Sequence, residues 1–413
     1  MIKKEKILSI YNLLFLSFLI RVIFSFIYSD KFLENEWGII LHNYEISGIF
    51  GFNVVINETY AYPKFAEIGE TVLPTAFMPP LYFFYLYLLK LLNINALNLV
   101  DLVIISQIFL STFSIYFFFK IVQVYEKNKN KIFLFTAFFA FFPINIYASL
   151  QISSITLQLF LIVLFFYFLL CHNFKSNSRF LVLFSFISGF LILIRGEFIV
   201  FYLFTIIYFY FFLKKEILKL FISILLTVLI VSPYLYRNYQ QFDNFVLTKS
   251  FGYNLLKGNN PTMIVEGNSG FIEKEYNIES LNIEADAKYE INLDNFYKDK
   301  AIEFIKKDPF TYLKFYILKV FSLLLIDFNS SYPNYYNIFH LLPKVFISIA
   351  SFFGGTLVIK NRGSLQYLSI FYFSNILLFS VFFILPRYSL IFLPVQILLS
   401  IEFFNYLKRK LFD

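Results

Sequence analysis

The chain has one cysteine, Cys171, among 413 residues. No intramolecular disulfide can form, so cysteine pairing says nothing about redox compartment. The three histidines, His42, His172 and His340, are scattered, and no cluster has the spacing of zinc ligands. Charged residues make up only 15%, too few to cover a soluble protein of this size. Tryptophan occurs once, at Trp37. Apolar residues fill the rest: 59% of the chain is hydrophobic, with a mean hydropathy of +0.69. The 61 phenylalanines and 31 tyrosines suit a lipid-facing bundle with rings at the membrane interface. The net charge of +8 is spread over loops. It reads as a positive-inside bias and not as a nucleic-acid footprint. There is no soluble domain, soluble-type repeat or low-complexity linker.

A membrane-crossing helix needs roughly 20 mostly apolar residues. The candidates are 8–28, 97–119, 132–149, 153–171, 180–194, 198–213, 217–233, 340–358, 367–385 and 388–406. The first lacks a small-residue cleavage site and is followed by many more, so it reads as retained. Two apolar pieces are less regular. Pro79–Lys90, "PPLYFFYLYLLK", has the length of an interfacial or re-entrant helix. The run 312–328 contains Lys314 and Lys319, and either lies at the interface or crosses.

Charge gives the sidedness. Lys3, Lys4 and Lys6 place the N-terminus in the cytoplasm. Residues 29–78 are then outside, and they are acid-rich. If 79–92 stays at the outer surface, the basic loops all fall inside: Lys120–Lys131, Lys175 with Arg179, Lys214 with Lys215, Lys360 with Arg362, and Lys408 with Arg409 and Lys410. The expected architecture is an all-α polytopic membrane protein of about ten transmembrane helices, a single domain over 1–413. Both termini are cytoplasmic, and two large outer segments span 29–96 and 234–339.

The chemistry-capable residues gather in those outer segments. In "NEWGIILHNYEISGIFGF" (Asn35–Phe52), Trp37, Ile40, Leu41, Tyr44 and Gly48 recur at helical spacing. Glu34 and Glu36 precede that stripe. They are either helix-end charges or a general base held where bilayer meets water. The second segment opens with "SPYLYRNYQQFDNFVLTKSFGYNLLKGNNP" (Ser232–Pro261). Pro233 is expected to end a span, with Arg237 at the membrane edge. The run Gly252, Asn254, Lys257, Gly258, Asn259, Asn260 and Pro261 predicts a defined loop. An arginine and a lysine beside such a loop can hold a phosphate. Further on, "NFYKDKAIEFIKKDPFTYLKFYILK" predicts a surface helix, a break at Pro309 and an apolar helix. Arg195 in "LIRGEF" either pairs with Glu197 or, with Arg237 and Arg387 of "LPRYSL", lines a basic pocket for an anionic head group.

The order of "EWGIILHNYEISGIFGF", "PTAFMPPLYFFYLYLL", "LILIRGEF", "RNYQQFDNFVLTKSFGYNLLKGNNP", "YKDKAIEFIKKDPFTYLKFYILKVF" and "PRYSLIFLPVQILL" resembles the GT-C membrane glycosyltransferases. It is similar to the bacterial proteins grouped with dolichyl-phosphate-mannose protein mannosyltransferases and lipid A aminoarabinose transferases. The resemblance covers nearly the whole chain, and "PTAFMPPLY" with "RNY…GYNLLKGNNP" carries most of it. It implies a helical bundle with membrane-parallel helices in the first outer loop. It also implies an inverting transfer of a sugar from a polyprenyl phosphate to an acceptor outside the cytoplasm.

The family's base is a carboxylate in the first outer loop, just before an aromatic residue. Glu36 before Trp37 matches best, since "EWG" parallels the "EYG" of one branch, with Glu34 as the other choice. An aspartate and a tyrosine are commoner at these two places. Arg237, with Lys257, Arg195 or Arg387, is expected to bind the donor phosphate. Asn238, Gly258, Asn259 and Asn260 are expected to shape that loop. The scheme requires no metal and assigns no cofactor, and a divalent metal stays open. The implied partners are the bilayer, the lipid-linked sugar and a glycan, lipid or protein acceptor, with no nucleic acid. The implied location is the bacterial cytoplasmic membrane, with the active site on its outer face. A transporter or lipid-linked sugar flippase is the alternative class. Such proteins show paired interrupted helices, whereas here Arg21 is the main charge within a span. A non-catalytic scaffold is the third.

Overall fold

A computed structural model describes residues 4–28, 53–55, 72–74, 76–92, 98–171, 178–212, 216–276, 281, 283, 286, 288–332 and 335–412. Helix dominates, as it must where lipid offers no partner to a backbone amide. Among the described residues, five helices are long and apolar enough to cross a membrane: Ile10–Ile27, Leu99–Tyr125, Ile217–Phe242, Ile338–Val358 and Pro386–Leu411. Shorter apolar helices cover Leu81–Leu92, Ile155–Cys171, Arg179–Ile194, Phe198–Phe211 and Ser364–Phe379. Large apolar side chains such as Phe15, Phe26 and Leu229 stand exposed on the outside of this bundle, a pattern that belongs to an integral membrane protein.

In chain order the helices are α1 (Lys4–Ile27), α2 (Leu81–Leu92), α3 (Leu99–Tyr125), α4 (Lys129–Ala140), α5 (Pro143–Ala148), α6 (Ile155–Phe166), α7 (Ser178–Ile194), α8 (Phe198–Phe211), α9 (Ile217–Phe242), α10 (Phe251–Gly258), α11 (Ser269–Glu275), α12 (Tyr289–Lys307), α13 (Pro309–Leu324), α14 (Ile338–Val358), α15 (Ser364–Phe379) and α16 (Ser389–Phe412). A short antiparallel pair, Asn53–Val55 with Val72–Pro74, lies between α1 and α2. Asparagines start several helices: Asn98 accepts from the Val100 amide at 3.2 Å, and Asn128 from those of Asn130 and Lys131. Pro309 opens α13 at its first turn, where a missing N–H costs nothing, and Asp308 caps the Thr311 amide at 3.2 Å.

Three predicted spans differ from expectation; one of them, 367–385, ends as a helix at Phe379. The span 132–149 is broken at Phe141–Pro143 into α4 and α5. The span expected to stop at Pro233 instead continues as α9 to Phe242. Proline frees the carbonyl four residues back. Here that carbonyl, on Leu229, accepts from the Ser232 hydroxyl at 3.1 Å, so the helix continues.

The α4–α5 break explains Arg21, which is fully buried. Its Nη2 donates to the carbonyl of Ala140, the last residue of α4, at 3.0 Å. Its Nε donates to Ser111 Oγ at 3.0 Å, and Nη1 to the Ser17 carbonyl at 3.1 Å and the Ser17 hydroxyl. A cation at the C-terminal end of a helix, inside an apolar bundle, answers carbonyls that nothing else can reach. Arg21→Met is expected to cost about 3 kcal/mol or more, since each buried acceptor left unpaired costs about 1–3 kcal/mol. Thermal unfolding of the purified protein in detergent checks this.

The bundle has two distinct ends. At one, Lys131 Nζ donates to Asn405 Oδ1 at 2.7 Å and Tyr208 donates to the Gly363 carbonyl at 2.9 Å. That end gathers the basic turns after α3 and α14. At the other end sit the α7–α8 turn, α10–α13 and the segment from Ser380 to Tyr388 that leads into α16. Here α10, α11 and α12 have a core of their own, built from Leu255, Leu256, Ile272, Tyr289, Leu293, Tyr297 and Ala301.

Candidate functional site

The sequence "GYNLLKG" is helical, as α10, and not the loop its turn residues predicted. Its glycines serve close approach instead of turning. A Cβ on Gly252 would lie 1.8 Å from the Asp294 carbonyl oxygen of α12. One on Gly258 would lie 2.5 Å from the Phe382 carbonyl carbon. Asp294 also caps the start of α10, its Oδ1 accepting from the Gly252 amide at 2.7 Å.

The turn begins at Asn259, and its residues are devoted to the carbonyls that end α10. Asn259 Nδ2 donates to Leu255 O at 2.9 Å. Asn260 Nδ2 donates to Leu256 O at 3.1 Å and Lys257 O at 2.9 Å. The Asn268 amide also donates to Lys257 O, at 3.0 Å. Lys319 Nζ, from α13, donates to Gly258 O at 3.2 Å. All four carbonyls that a helix C-terminus leaves open are thereby filled. The end of α10, and with it Lys257, is held fast.

Lys257 lies over the face of Phe383, Nζ 4.6 Å from the ring centre. Phe383 neighbours Tyr388, ring centres 6.0 Å apart. On Tyr388 rests Arg195, its guanidinium carbon 5.7 Å from that ring. Arg387 belongs to the short 3-10 turn Pro386–Tyr388. Two cations from distant segments, Lys257 and Arg195, thus rest on one aromatic pair, and Arg387 lies within electrostatic reach of Lys257. Cation–π contact of this kind stabilises by about 0.5–2 kcal/mol and holds the charges without cancelling them. Burial, and next the nearby positive charge of Arg387, pull the Lys257 ammonium below its ordinary pKa. The buried Nε of Arg387 has no hydrogen-bond partner among the described residues. Arg195 faces Glu197 at 3.9 Å. Glu266, also at this end, is occupied elsewhere: it accepts from the Ser330 hydroxyl, the Ser331 amide at 2.9 Å and the Ser331 hydroxyl at 2.6 Å. Those bonds secure the loop that carries Tyr332. The Tyr332 phenol is pushed up mainly by burial, with Arg387 acting in the opposite sense.

The fourth predicted cation, Arg237, is placed in the last turns of α9. Its Nη1 donates to Asn238 Oδ1 at 2.8 Å, and it lies within electrostatic reach of Tyr234 and the Glu290 carboxylate. Asn238, fully buried, donates to Val246 O at 2.7 Å. Glu290 accepts from the Ala76 amide at 2.6 Å, tying the "PTAFMPP" segment to α12. The expected carboxylates Glu34 and Glu36 lie outside the described residues.

Several contributors had weak signals in the sequence. Lys319 showed only as a lysine in an apolar run. Glu266, Glu290 and Asp294 looked like ordinary surface acids. Among the described residues, no group of three or more histidine, cysteine or carboxylate side chains could hold a metal. A group of cations at a helix end and a turn is suited to binding a compact anion.

No family model and no curated protein matches the chain. Solved structures do. The oligosaccharyltransferase of Archaeoglobus fulgidus in its apo form aligns over 98% of this chain and 51% of its own, at 11% identity and a TM-score of 0.58. The same enzyme tethered to an acceptor peptide with the NVT sequon aligns over 97% and 50%, at 12% identity and a TM-score of 0.53. ArnT from Cupriavidus metallidurans, bound to undecaprenyl phosphate, aligns over 82% and 70% at 12% identity, with a TM-score of 0.31 that does not establish a common fold. Over the aligned length the protein shares the fold of the archaeal oligosaccharyltransferase. It spans about half the length of the archaeal enzyme.

Proposed function

We propose that this protein is a membrane glycosyltransferase that moves a sugar from a polyprenyl-phosphate donor to an acceptor at the outer face of the membrane. The seating of Lys257 on Phe383 and of Arg195 on Tyr388, with Arg387 within electrostatic reach of Lys257, in a GT-C fold, is the observation that carries this reading. The three cations bind the donor phosphate while its lipid tail stays in the bilayer. Arg237 and Asn238 support the adjoining edge, where α9 meets Val246.

In the reaction an acceptor hydroxyl attacks the anomeric carbon, and its proton passes to a carboxylate of the first outer segment, Glu36 in preference to Glu34. The bond from the anomeric carbon to the phosphate oxygen breaks, and the electron pair leaves with the phosphate. A diester with one negative charge thereby becomes a monoester carrying nearly two. Cations fixed beside that oxygen gain more from the leaving group than from the donor, which is the condition for catalysis. The phosphate is a good leaving group, so no second acid is required. A divalent metal could add to this charge stabilisation without changing these roles.

The test is transfer from a panel of polyprenyl-phosphate sugars by the purified full-length protein. Glu36→Gln is expected to abolish turnover while the protein still inserts and binds donor. Full turnover by Glu36→Gln, with loss in Glu34→Gln, would move the base to Glu34. Solute uptake or lipid flipping by vesicles, without sugar transfer, would sink the transferase reading.

A further inference from the structure

Lys319 is fully buried in α13, a mainly apolar helix whose other lysine, Lys314, is exposed. An ammonium taken out of water costs several kcal/mol unless its surroundings replace the lost solvation. Here four neutral oxygens do so. Nζ donates to Phe382 O at 2.7 Å, Asn259 Oδ1 at 2.9 Å, Gly258 O at 3.2 Å and Val381 O at 3.3 Å. The face of Phe315 covers it at 4.8 Å. None of the ion pairs among the described residues includes Lys319.

The sources of those oxygens matter more than their number. Two belong to the end of α10, one and two residues after Lys257. Two belong to the turn 381–382, immediately before Phe383 and a few residues before Arg387. Without a cation between them, these inward-facing carbonyls would repel one another. Lys319 is therefore an internal cation that clamps the two segments carrying the phosphate-binding charges. A merely apolar contact would not fix their spacing, because it exerts no pull on four oxygens at once.

We infer that Lys319 is a positioning residue of the anion site, setting the placement of Lys257 and Arg387 through the carbonyl cage that its ammonium fills. This rests on the reading of that site as the donor-phosphate pocket. Lys319 touches no substrate in this account. Its charge is used up inside the protein.

Chemical rescue separates this role from simple packing. Lys319→Ala leaves a space lined by carbonyls and sized for a small alkylammonium ion. Binding of undecaprenyl phosphate to the full-length protein in nanodiscs, with undecaprenol as the neutral control, is the measurement. The alanine variant is expected to bind at least tenfold more weakly than wild type. Added ethylammonium should restore most of that loss at matched ionic strength, and ethanol should not. Lys319→Met, whose side chain fills the space, should be weak and not rescued. Wild-type affinity in a folded alanine variant overturns the inference, and so does equal rescue by ethanol. Should the alanine variant fail to fold, Lys319→Gln, a neutral donor of similar size, carries the test, and wild-type affinity there overturns it. A wild-type protein that binds undecaprenyl phosphate no better than undecaprenol overturns the donor-site reading itself.

Discussion

Lys257→Ala and Arg387→Ala are each expected to weaken binding of a polyprenyl phosphate by about 10- to 150-fold. That range follows from the loss of one charge-assisted hydrogen bond, about 1.5–3 kcal/mol. The larger effect should appear in turnover, because the phosphate gains charge as the sugar leaves. Removing one fixed electrostatic contact in comparable sites costs about 2.7–4 kcal/mol in rate. Transfer kinetics at varied donor concentration separate the two effects. Lys257 also predicts a pH dependence. Its ammonium is held below the ordinary lysine pKa, first by burial and then by Arg387. Charge on Lys257 is therefore lost, as pH rises, before it would be lost from a free lysine near 10.5. Donor affinity should fall over that alkaline range in wild type and lose that component in Lys257→Ala. Stability has the opposite sign. The depressed folded-state pKa means that the charged form is a cost to the fold, present in full below the folded pKa. That cost is relieved as pH rises from there to the unfolded value. A bound phosphate offsets it at neutral pH, so ligand should raise the unfolding temperature more in wild type than in Lys257→Ala.

Gly258→Ala is expected to damage the site without touching any charge. The added methyl would lie 2.5 Å from Phe382 C, 2.7 Å from its oxygen and 2.7 Å from the Phe383 amide. These are backbone atoms and cannot swing aside, so either α10 or the turn 381–383 must shift. Overpacking of this kind costs about 1–3 kcal/mol. The displaced elements are the two that hold Lys257 and Phe383, so phosphate affinity should fall together with stability. Gly270→Ala is the matched control. Its nearest neighbour is a side-chain oxygen of Asn268 at 3.5 Å, and it should change neither quantity measurably. If Gly258→Ala unfolds at the wild-type temperature and binds normally, α10 and the turn are not in the tight contact described.

Particular residues show how far sequence patterning reaches. The apolar runs became helices because length and hydropathy leave lipid-embedded backbone no other way to pair its amides. Pro309 separated α12 from α13 as expected, since nothing upstream required its amide. Pro233 did not end its helix, because a neighbouring serine took up the released carbonyl. The "GYNLLKG" stretch misled for a related reason. Glycine and asparagine usually signal turns. Here the glycines admit two other backbones, and Asn259 and Asn260 cap the helix that precedes them. The cations were visible one by one, but Lys257 and Arg195 share the Phe383–Tyr388 pair, with Arg387 within electrostatic reach of Lys257, while Arg237 is within electrostatic reach of Glu290.

The sequence alone determined that this is a helical, integral membrane protein. Those properties come from local periodicity, segment length and charge count, each readable within about twenty residues. The tertiary structure alone decided which charges meet, that Arg21 caps the break after α4, and that Lys319 lies in a carbonyl cage between α10 and the 381–382 turn. Such contacts join residues far apart in the chain. The electrostatic interactions that select them depend on distance and burial, and a linear pattern encodes neither.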